Sequence, residues 1–164
     1  MTKQDLIEGF RYDAWANGLW ADALTAFDPR LTSPQALARM NQPKAWPEFP
    51  LDPFERASDV FVHILFSQRT WLQRIEPTIT IRATDAQTAI EGLRAAWEPA
   101  LTSRTLDERI EYLTYGGAPF THTVEQIAGQ VIGHGAYYRG QLRELAERIG
   151  MQDLPMTDYI AFVR

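Results

Sequence analysis

Apolar residues recur three and four positions apart in four long segments of the chain. That spacing is the period of one face of an α-helix, so each segment is predicted to be an amphipathic helix. The segments run from about Lys3 to Phe27, from just after Pro53 to about Ile75, from near Thr84 to about Glu98, and from near Thr123 to Gly150. Helices of this length bury their apolar faces against one another. The pattern predicts an all-α fold, an antiparallel four-helix bundle that forms a single domain over residues 1–164.

Residues at the starts and ends of these segments support the predicted limits. Pro29 and Pro77 should end the first two helices, because proline lacks a backbone N–H and disfavours helical geometry in the residue before it. Thr84 can cap the exposed amides of the third helix. Thr123, with Gln126 three residues later, can form a capping box at the start of the last helix.

Two further signals concern the last two helices. Pro99 interrupts the third helix near its predicted end, so this helix should stop there or run only a little further. Gly150 suits the left-handed conformation that often closes a helix. Gly133, Gly135 and Gly140 lie inside the last helix, where glycine is unfavourable and the missing side chain permits close approach of a second helix.

The segment between Pro29 and Pro53 breaks the helical period. It is a long crossover loop that contains Pro34, Pro43, Pro47 and Pro50, with Trp46 and Phe49 between them. Long loops in compact domains are usually functional or partly ordered. We therefore expect a lid over one edge of the bundle, with a short helix near residues 34–40.

A strand-like alternation precedes the last helix. Residues 109–115 alternate between polar and apolar side chains, Gly116 and Gly117 mark a turn, and residues 119–123 can return as a second strand. A small β-hairpin is the predicted structure. The tail after Leu154 carries Ile160 and Phe162 and is expected to pack back onto the helices.

Composition excludes several classes of function. The chain has no cysteine, which removes thiolate nucleophiles, zinc fingers and disulfides and fits a reducing compartment. Its net charge of −5 argues against a nucleic-acid partner, because phosphate binding requires clustered Lys and Arg. No apolar run approaches the roughly 20 residues of a membrane span, and the first residues lack a signal-peptide pattern. We expect a cytoplasmic protein with no membrane partner.

Two histidines are the strongest candidates for chemistry. His63 and His134 each lie in the middle of a long, otherwise apolar helix, where an imidazole needs a hydrogen-bond partner or a ligand. Helical bundles commonly build metal and cofactor sites from side chains that project inward from facing helices. The positions therefore suggest one shared site, although a single buried histidine is more often a satisfied core residue.

Several short motifs resemble the DinB-like superfamily. Residues 134–141 read His-Gly-Ala-Tyr-Tyr-Arg-Gly-Gln, similar to the family's His, three residues, His-Arg-Gly-Gln. Residues 12–17, Tyr-Asp-Ala-Trp-Ala-Asn, resemble its first-helix signature. His63-Ile-Leu followed by Trp71 resembles its second helix, and the closing residues 158–160 also match.

The resemblance implies a four-helix bundle, usually a homodimer, with a divalent metal such as zinc, nickel or iron bound by three histidines. Some members resemble transferases that use a thiol cofactor. Two ligands carry over, to His63 and His134. The third ligand position holds Tyr138, one helical turn after His134, so the spacing is kept but the imidazole is missing.

Three outcomes are open at the third position. A metal still binds if the Tyr138 phenolate, water, or an acidic or amide side chain such as Asp13, Gln68 or Gln141 completes the ligand set. A phenol must lose its proton to become a strong ligand. Alternatively, the site is metal-free and the two histidines and Tyr138 form a polar cluster, or His122 reaches in from the hairpin as the missing ligand.

Three further residues are candidates for substrate binding. Arg139 can hold an anionic substrate or the carboxylate of a thiol cofactor, although an ion pair with a glutamate is the simpler structural role. Tyr12 and Trp15 can line a pocket or belong to the core. Two functions follow: a metal-dependent thiol transferase or hydrolase acting on a small molecule, or a metal-free, noncatalytic protein that binds a small molecule.

Overall fold

A computed structural model describes residues 1–39 and 50–164, which form six α-helices and one two-stranded antiparallel sheet. The helices are α1 (Lys3–Phe27), α2 (Pro34–Ala38), α3 (Pro53–Ile75), α4 (Ala86–Ser103), α5 (Val124–Arg148) and α6 (Tyr159–Phe162), and the strands are β1 (Arg109–Leu113) and β2 (Pro119–Thr123). A mostly helical fold with a small hairpin before the last long helix is therefore confirmed. Most of the proposed lid, with Pro43, Trp46, Pro47 and Phe49, lies outside the described residues.

Each of the four long helices packs against two others. α1 contacts α4 and α5, and α3 contacts α5 and α4, so the apolar faces meet in one interior. Phe10 of α1 stacks on Trp97 of α4 with ring centroids 4.2 Å apart. Aromatic and aliphatic side chains from all four helices fill this core, among them Leu6, Trp20, Phe61, Leu65, Leu93, Trp97, Val131 and Leu142.

The helix starts follow the predicted capping chemistry, with one correction. Thr123 and Gln126 form the expected capping box at α5. At α4 the cap is Asp85 and not Thr84, because the Asp85 carboxylate accepts a hydrogen bond from the Thr88 backbone N–H. The Thr84 hydroxyl instead donates to the Asp85 carboxylate.

The end of α4 lies further along the chain than the predicted Glu98 or a little beyond. The helix continues through Pro99 to Ser103. Ala100 and Leu101, in the turn after the proline, are buried in the core. Burial of this last turn offsets the missing backbone hydrogen bond, a tertiary contribution that the local sequence does not reveal.

The hairpin and the tail take the expected places. Strands β1 and β2 pair in antiparallel register with Tyr112 opposite Phe120, and Gly117 in the turn has φ of 81°. α5 ends at Arg148, and Gly150 adopts the predicted left-handed conformation with φ of 92°. In the tail, α6 packs on α1, where the Tyr159 ring meets the Tyr12 ring edge to face at 5.3 Å.

A buried polar network joins α1, α3 and α5. The Arg139 guanidinium of α5 forms an ion pair with the Asp13 carboxylate of α1 and donates to the Asn17 side-chain oxygen at 2.9 Å. Asn17 and Gln68 of α3 both donate to the second Asp13 oxygen. All four side chains are buried, so the network satisfies charges and amides that would otherwise oppose folding.

Gly135 is where α5 comes closest to this network. A Cβ atom on residue 135 would lie 2.5 Å from Asp13 Oδ1 and 3.1 Å from Arg139 Nη1. By contrast, Gly133 and Gly140 would place a Cβ in open space, with no described atom within 4 Å. Of these three glycines, only Gly135 mediates a close approach.

We expect Gly135→Ala to lower the free energy of unfolding by roughly 1–3 kcal/mol, because the added methyl group must displace the Asp13 carboxylate from its partners. Gly133→Ala is the matched control. It should be neutral or stabilise α5 by up to about 1 kcal/mol, since alanine is the better helix former. Urea unfolding of both variants measures the difference, and equal effects of the two substitutions would contradict the packing described for Gly135.

Candidate functional site between α3 and α5

The structure brings His63 of α3 and His134 of α5 together. Their Nε2 atoms lie 3.2 Å apart, and His63 is 7% exposed. Tyr138 completes the cluster, with its ring centroid 4.5 Å from the centroid of each imidazole. His134 and Tyr138 are four residues apart on one helix, which places both on the face of α5 that meets α3.

Aromatic side chains flank this cluster on the hairpin side. Phe66, almost one turn after His63 on α3, stacks near it with centroids 6.3 Å apart. Tyr115, from the turn of the hairpin, stacks on Phe66 at the same distance. Its hydroxyl lies 3.4 Å from the Thr70 hydroxyl. The hairpin thus adds an aromatic wall that sequence analysis did not connect to the histidines.

Burial keeps both imidazoles neutral near pH 7. Desolvation, with a smaller contribution from the neighbouring His134, lowers the pKa of His63 to about 4. Desolvation also lowers the pKa of His134. Two neutral imidazoles can share one proton between their Nε2 atoms, or they can both present Nε2 lone pairs to a cation.

The pair geometry fits two ligands of one metal ion. Zinc with imidazole bonds of roughly 2.0–2.1 Å and tetrahedral angles separates its ligand nitrogens by about 3.3–3.4 Å. The observed Nε2–Nε2 distance of 3.2 Å is close to that value. Neutral imidazole is also the form that binds a metal.

The rest of a three-histidine site is not present. Within residues 1–39 and 50–164, no group of three or more His, Asp or Glu side chains is arranged to hold a metal. Burial raises the pKa of Tyr138, with a smaller contribution from Tyr137, which disfavours the phenolate that a strong ligand requires. The residues fit a two-imidazole site and do not fit a three-histidine site.

The other proposed ligands have different partners. Asp13 and Gln68 are engaged in the buried network with Arg139. Gln141 lines a separate groove beside Glu144. His122 accepts or donates a 2.9 Å hydrogen bond with the Tyr112 hydroxyl within the hairpin, so the structure does not bring it to the pair.

Of the three proposed substrate-binding residues, Tyr12 and Trp15 lie on α1, and Arg139 lies on the face of α5 that contacts α1. Arg139 is 4% exposed, and its ion-pair partner is Asp13 rather than the expected glutamate. The Tyr12 hydroxyl donates to the Thr157 carbonyl at 2.7 Å, and the Trp15 ring lies 5.6 Å from Phe162. Tyr12 and Trp15 therefore contact the C-terminal segment.

The four residues of the buried network were not predicted from the sequence to act together. The sequence did indicate a buried polar pair on α1, because Asp13 and Asn17 lie four residues apart among apolar positions. Such a pair on a buried face requires partners from another helix. Nothing in the linear order identified Gln68 and Arg139 as those partners together.

Comparisons of the chain with protein-family models, with curated proteins and with solved structures found no match. In the part of the chain that is described, no helix combines the length and apolar character needed to span a membrane. The assignment of function therefore depends on the site geometry and on the sequence resemblance.

The histidine pair predicts a loss of stability in mild acid. The unfolded chain takes up a proton on His63 as the pH falls through about 6.5, whereas the folded protein takes it up only near pH 4. The folded state should lose up to about 3 kcal/mol across that window and lose little more from His63 below it.

Urea unfolding at several pH values tests this expectation. His63→Gln should remove the contribution and give a shallower dependence of unfolding free energy on pH between 6.5 and 4. The difference between wild type and variant isolates the histidine from the carboxylates that titrate in the same range. Parallel pH profiles for the two proteins would show that His63 is not held neutral by burial.

Proposed function

We propose that this chain is a DinB-like four-helix-bundle protein with a degenerate two-histidine centre, at which a divalent metal binds through His63 and His134. The observation that supports it is the 3.2 Å separation of two neutral imidazole Nε2 atoms from separate helices. The pairwise packing of α1, α3, α4 and α5 supports the bundle architecture. The motifs around residues 12–17, 63–65 and 134–141 support the family.

With only two imidazole ligands, the proposed site should have a low affinity for metal and free coordination positions on the ion. Two imidazoles leave further coordination positions for solvent or substrate, as in catalytic rather than structural zinc sites. A bound zinc, nickel or iron ion would supply Lewis-acid activation of a thiol or a water molecule toward a small electrophile. The chain itself contributes desolvation, through Phe66 and Tyr138, and a neutral phenol that can donate a hydrogen bond beside the centre.

A second candidate function is a metal-free, noncatalytic protein that binds a small molecule. The contacts of Tyr138 favour it, because its ring lies 4.5 Å from both imidazoles and burial raises its pKa, so all three groups are neutral together and need no cation to balance charge. In that case His63→Ala should change stability or ligand affinity and leave the metal content at zero. Stoichiometric metal that disappears in this variant would exclude this second candidate.

The same resemblance supports a homodimer and a small-molecule substrate with a thiol cofactor. The cysteine-free composition supports a cytoplasmic location, because it fits a reducing compartment. Light scattering would measure the assembly state independently of the metal site.

Restoring the third histidine is the sharpest test of the metal site. Tyr138→His should raise the affinity for zinc and nickel at least about tenfold, because it adds an imidazole beside two that already converge. Tyr137→His is the matched control. It adds a histidine at the neighbouring position, where the Tyr137 side chain is 64% exposed. Elemental analysis of untreated protein and calorimetric titration of metal-stripped protein give the readouts.

Several outcomes decide between the two candidates. Metal in wild-type protein that is lost in His63→Ala and His134→Ala, together with a gain only in Tyr138→His, supports the metal site. Wild-type protein that stays empty after incubation with zinc and nickel leaves the metal-free candidate. Equal affinities of Tyr138→His and Tyr137→His would show that the surroundings of the pair do not accept a third ligand.

A further inference from the structure

Strand β1 has an edge that is not paired with β2. Hydrogen bonds at the two ends of the hairpin show which residues face this edge. The Val124 N–H donates to the Glu108 carbonyl at 3.0 Å, and the Thr114 N–H donates to the Ala118 carbonyl at 2.9 Å. Because hydrogen-bonded pairs alternate along an antiparallel ladder, the even-numbered residues of β1 bond to β2. The odd-numbered residues therefore direct their N–H and C=O groups away from β2.

Three residues form this free edge of β1, namely Arg109, Glu111 and Leu113. Beyond the hairpin, no backbone hydrogen bond from any described residue reaches their N–H or C=O groups. All three side chains are exposed, Leu113 at 65%. An exposed edge with unpaired main-chain groups is a template for the addition of a further strand.

The outer edge of β2 offers fewer donors. By the same alternation its outward-facing residues are Pro119, Thr121 and Thr123. Pro119 has no N–H, and the Thr123 N–H donates to the Gln126 side-chain oxygen at 2.9 Å. Two of these three positions therefore cannot donate to an added strand, whereas all three on β1 can. The open edge of the hairpin is that of β1.

The charged side chains along the β1 edge are self-complementary. Arg109 and Glu111 lie two residues apart, so both project from the same face of the strand. The nearby Arg104 forms its ion pairs with Glu76 and Glu108. Within residues 1–39 and 50–164, neither Arg109 nor Glu111 takes part in an ion pair. Each is available to a charge of opposite sign on another molecule.

One register satisfies both the backbone and the charges when two β1 strands pair antiparallel about a two-fold axis. Free-edge residues must lie opposite one another, because they carry the outward N–H and C=O groups. A register centred on Ile110 places Arg109 opposite the partner's Glu111, and symmetry repeats the pair. A register centred on Glu111 places two carboxylates opposite each other, which is destabilising.

This register also extends the sheet. The hairpin of one copy has two strands, and a two-stranded sheet is only marginally stable without further strands or helices. Pairing of the β1 edges joins two hairpins into one continuous sheet, and each Arg109 exchanges both backbone hydrogen bonds with the partner's Glu111. Because the ion pairs lie on the exposed face, salt should weaken the association.

We propose that the β1 edge is the contact surface for a second copy of this chain, paired antiparallel about Ile110 with Arg109 of each copy opposite Glu111 of the other. This inference rests on the homodimer proposed above and gives it an interface. It does not depend on the metal site, which lies between α3 and α5.

Charge reversal at the two edge positions tests the register. Arg109→Glu and Glu111→Arg each place like charges opposite one another, so each should raise the dimer dissociation constant at least about tenfold at low ionic strength. The double variant R109E/E111R restores opposite charges and should recover the wild-type constant to within about threefold. Arg82→Glu is the control for net charge, because Arg82 is exposed and lies outside the hairpin. Sedimentation equilibrium over a concentration series measures all four variants.

Amide hydrogen exchange of the wild-type protein is an independent readout that requires no variant to fold. The Arg109 and Glu111 amides should exchange at unprotected rates in the monomer and at least about tenfold more slowly in the dimer, because each then donates to the partner. The Ile110 amide faces β2 in the hairpin and is the internal control. Its exchange should differ little between monomer and dimer.

The outcomes separate this interface from the homodimer itself. Wild-type protein that stays monomeric at millimolar concentration would overturn both. A dimer whose Arg109 and Glu111 amides exchange at unprotected rates would overturn the interface alone. So would equal dissociation constants for the wild type and the two single reversals, or a double reversal that recovers no affinity.

Discussion

The ion pair between Asp13 and Arg139 is the constraint on which the arrangement of α1, α3 and α5 depends. Both groups are buried, and burial raises the pKa of Asp13 against the opposing effect of the Arg139 guanidinium. Removing one member of such a pair typically costs about 3–5 kcal/mol, because the other is left as an uncompensated charge. Gln68 extends the pair to α3, and Gly135 lets the carboxylate reach α5.

The network also positions the histidine centre. His63 and Gln68 are five residues apart on α3, and His134 and Arg139 are five apart on α5, about 7.5 Å along each helix axis. Fixing Gln68 and Arg139 to one carboxylate therefore limits how far the two helices can slide or rotate at the imidazoles. Preorganisation of this kind allows the Nε2 atoms of two neutral imidazoles to remain 3.2 Å apart.

Residues that the sequence motifs group together serve two different places in the structure. Tyr138 and Arg139 are adjacent, yet Tyr138 contacts the imidazoles and Arg139 contacts α1, because successive residues on a helix point about 100° apart. The motif at 134–141 thus contributes Tyr138 to the histidine cluster and Arg139 to the buried network with α1. Neighbouring residues of one sequence motif therefore need not belong to one site.

The linear order of residues was sufficient for most of the local structure, apart from the choice of Asp85 over Thr84 as the cap of α4. Helical periodicity, the Thr123–Gln126 capping box, the hairpin turn and Gly150 each depend on neighbours within a few positions, and each occurs as predicted. Tertiary structure decided the rest: the continuation of α4 through Pro99, the choice of Asp13 as the partner of Arg139, and the separation of His122 from the pair. Those outcomes depend on burial and on distances between segments far apart in the chain, which no local pattern encodes.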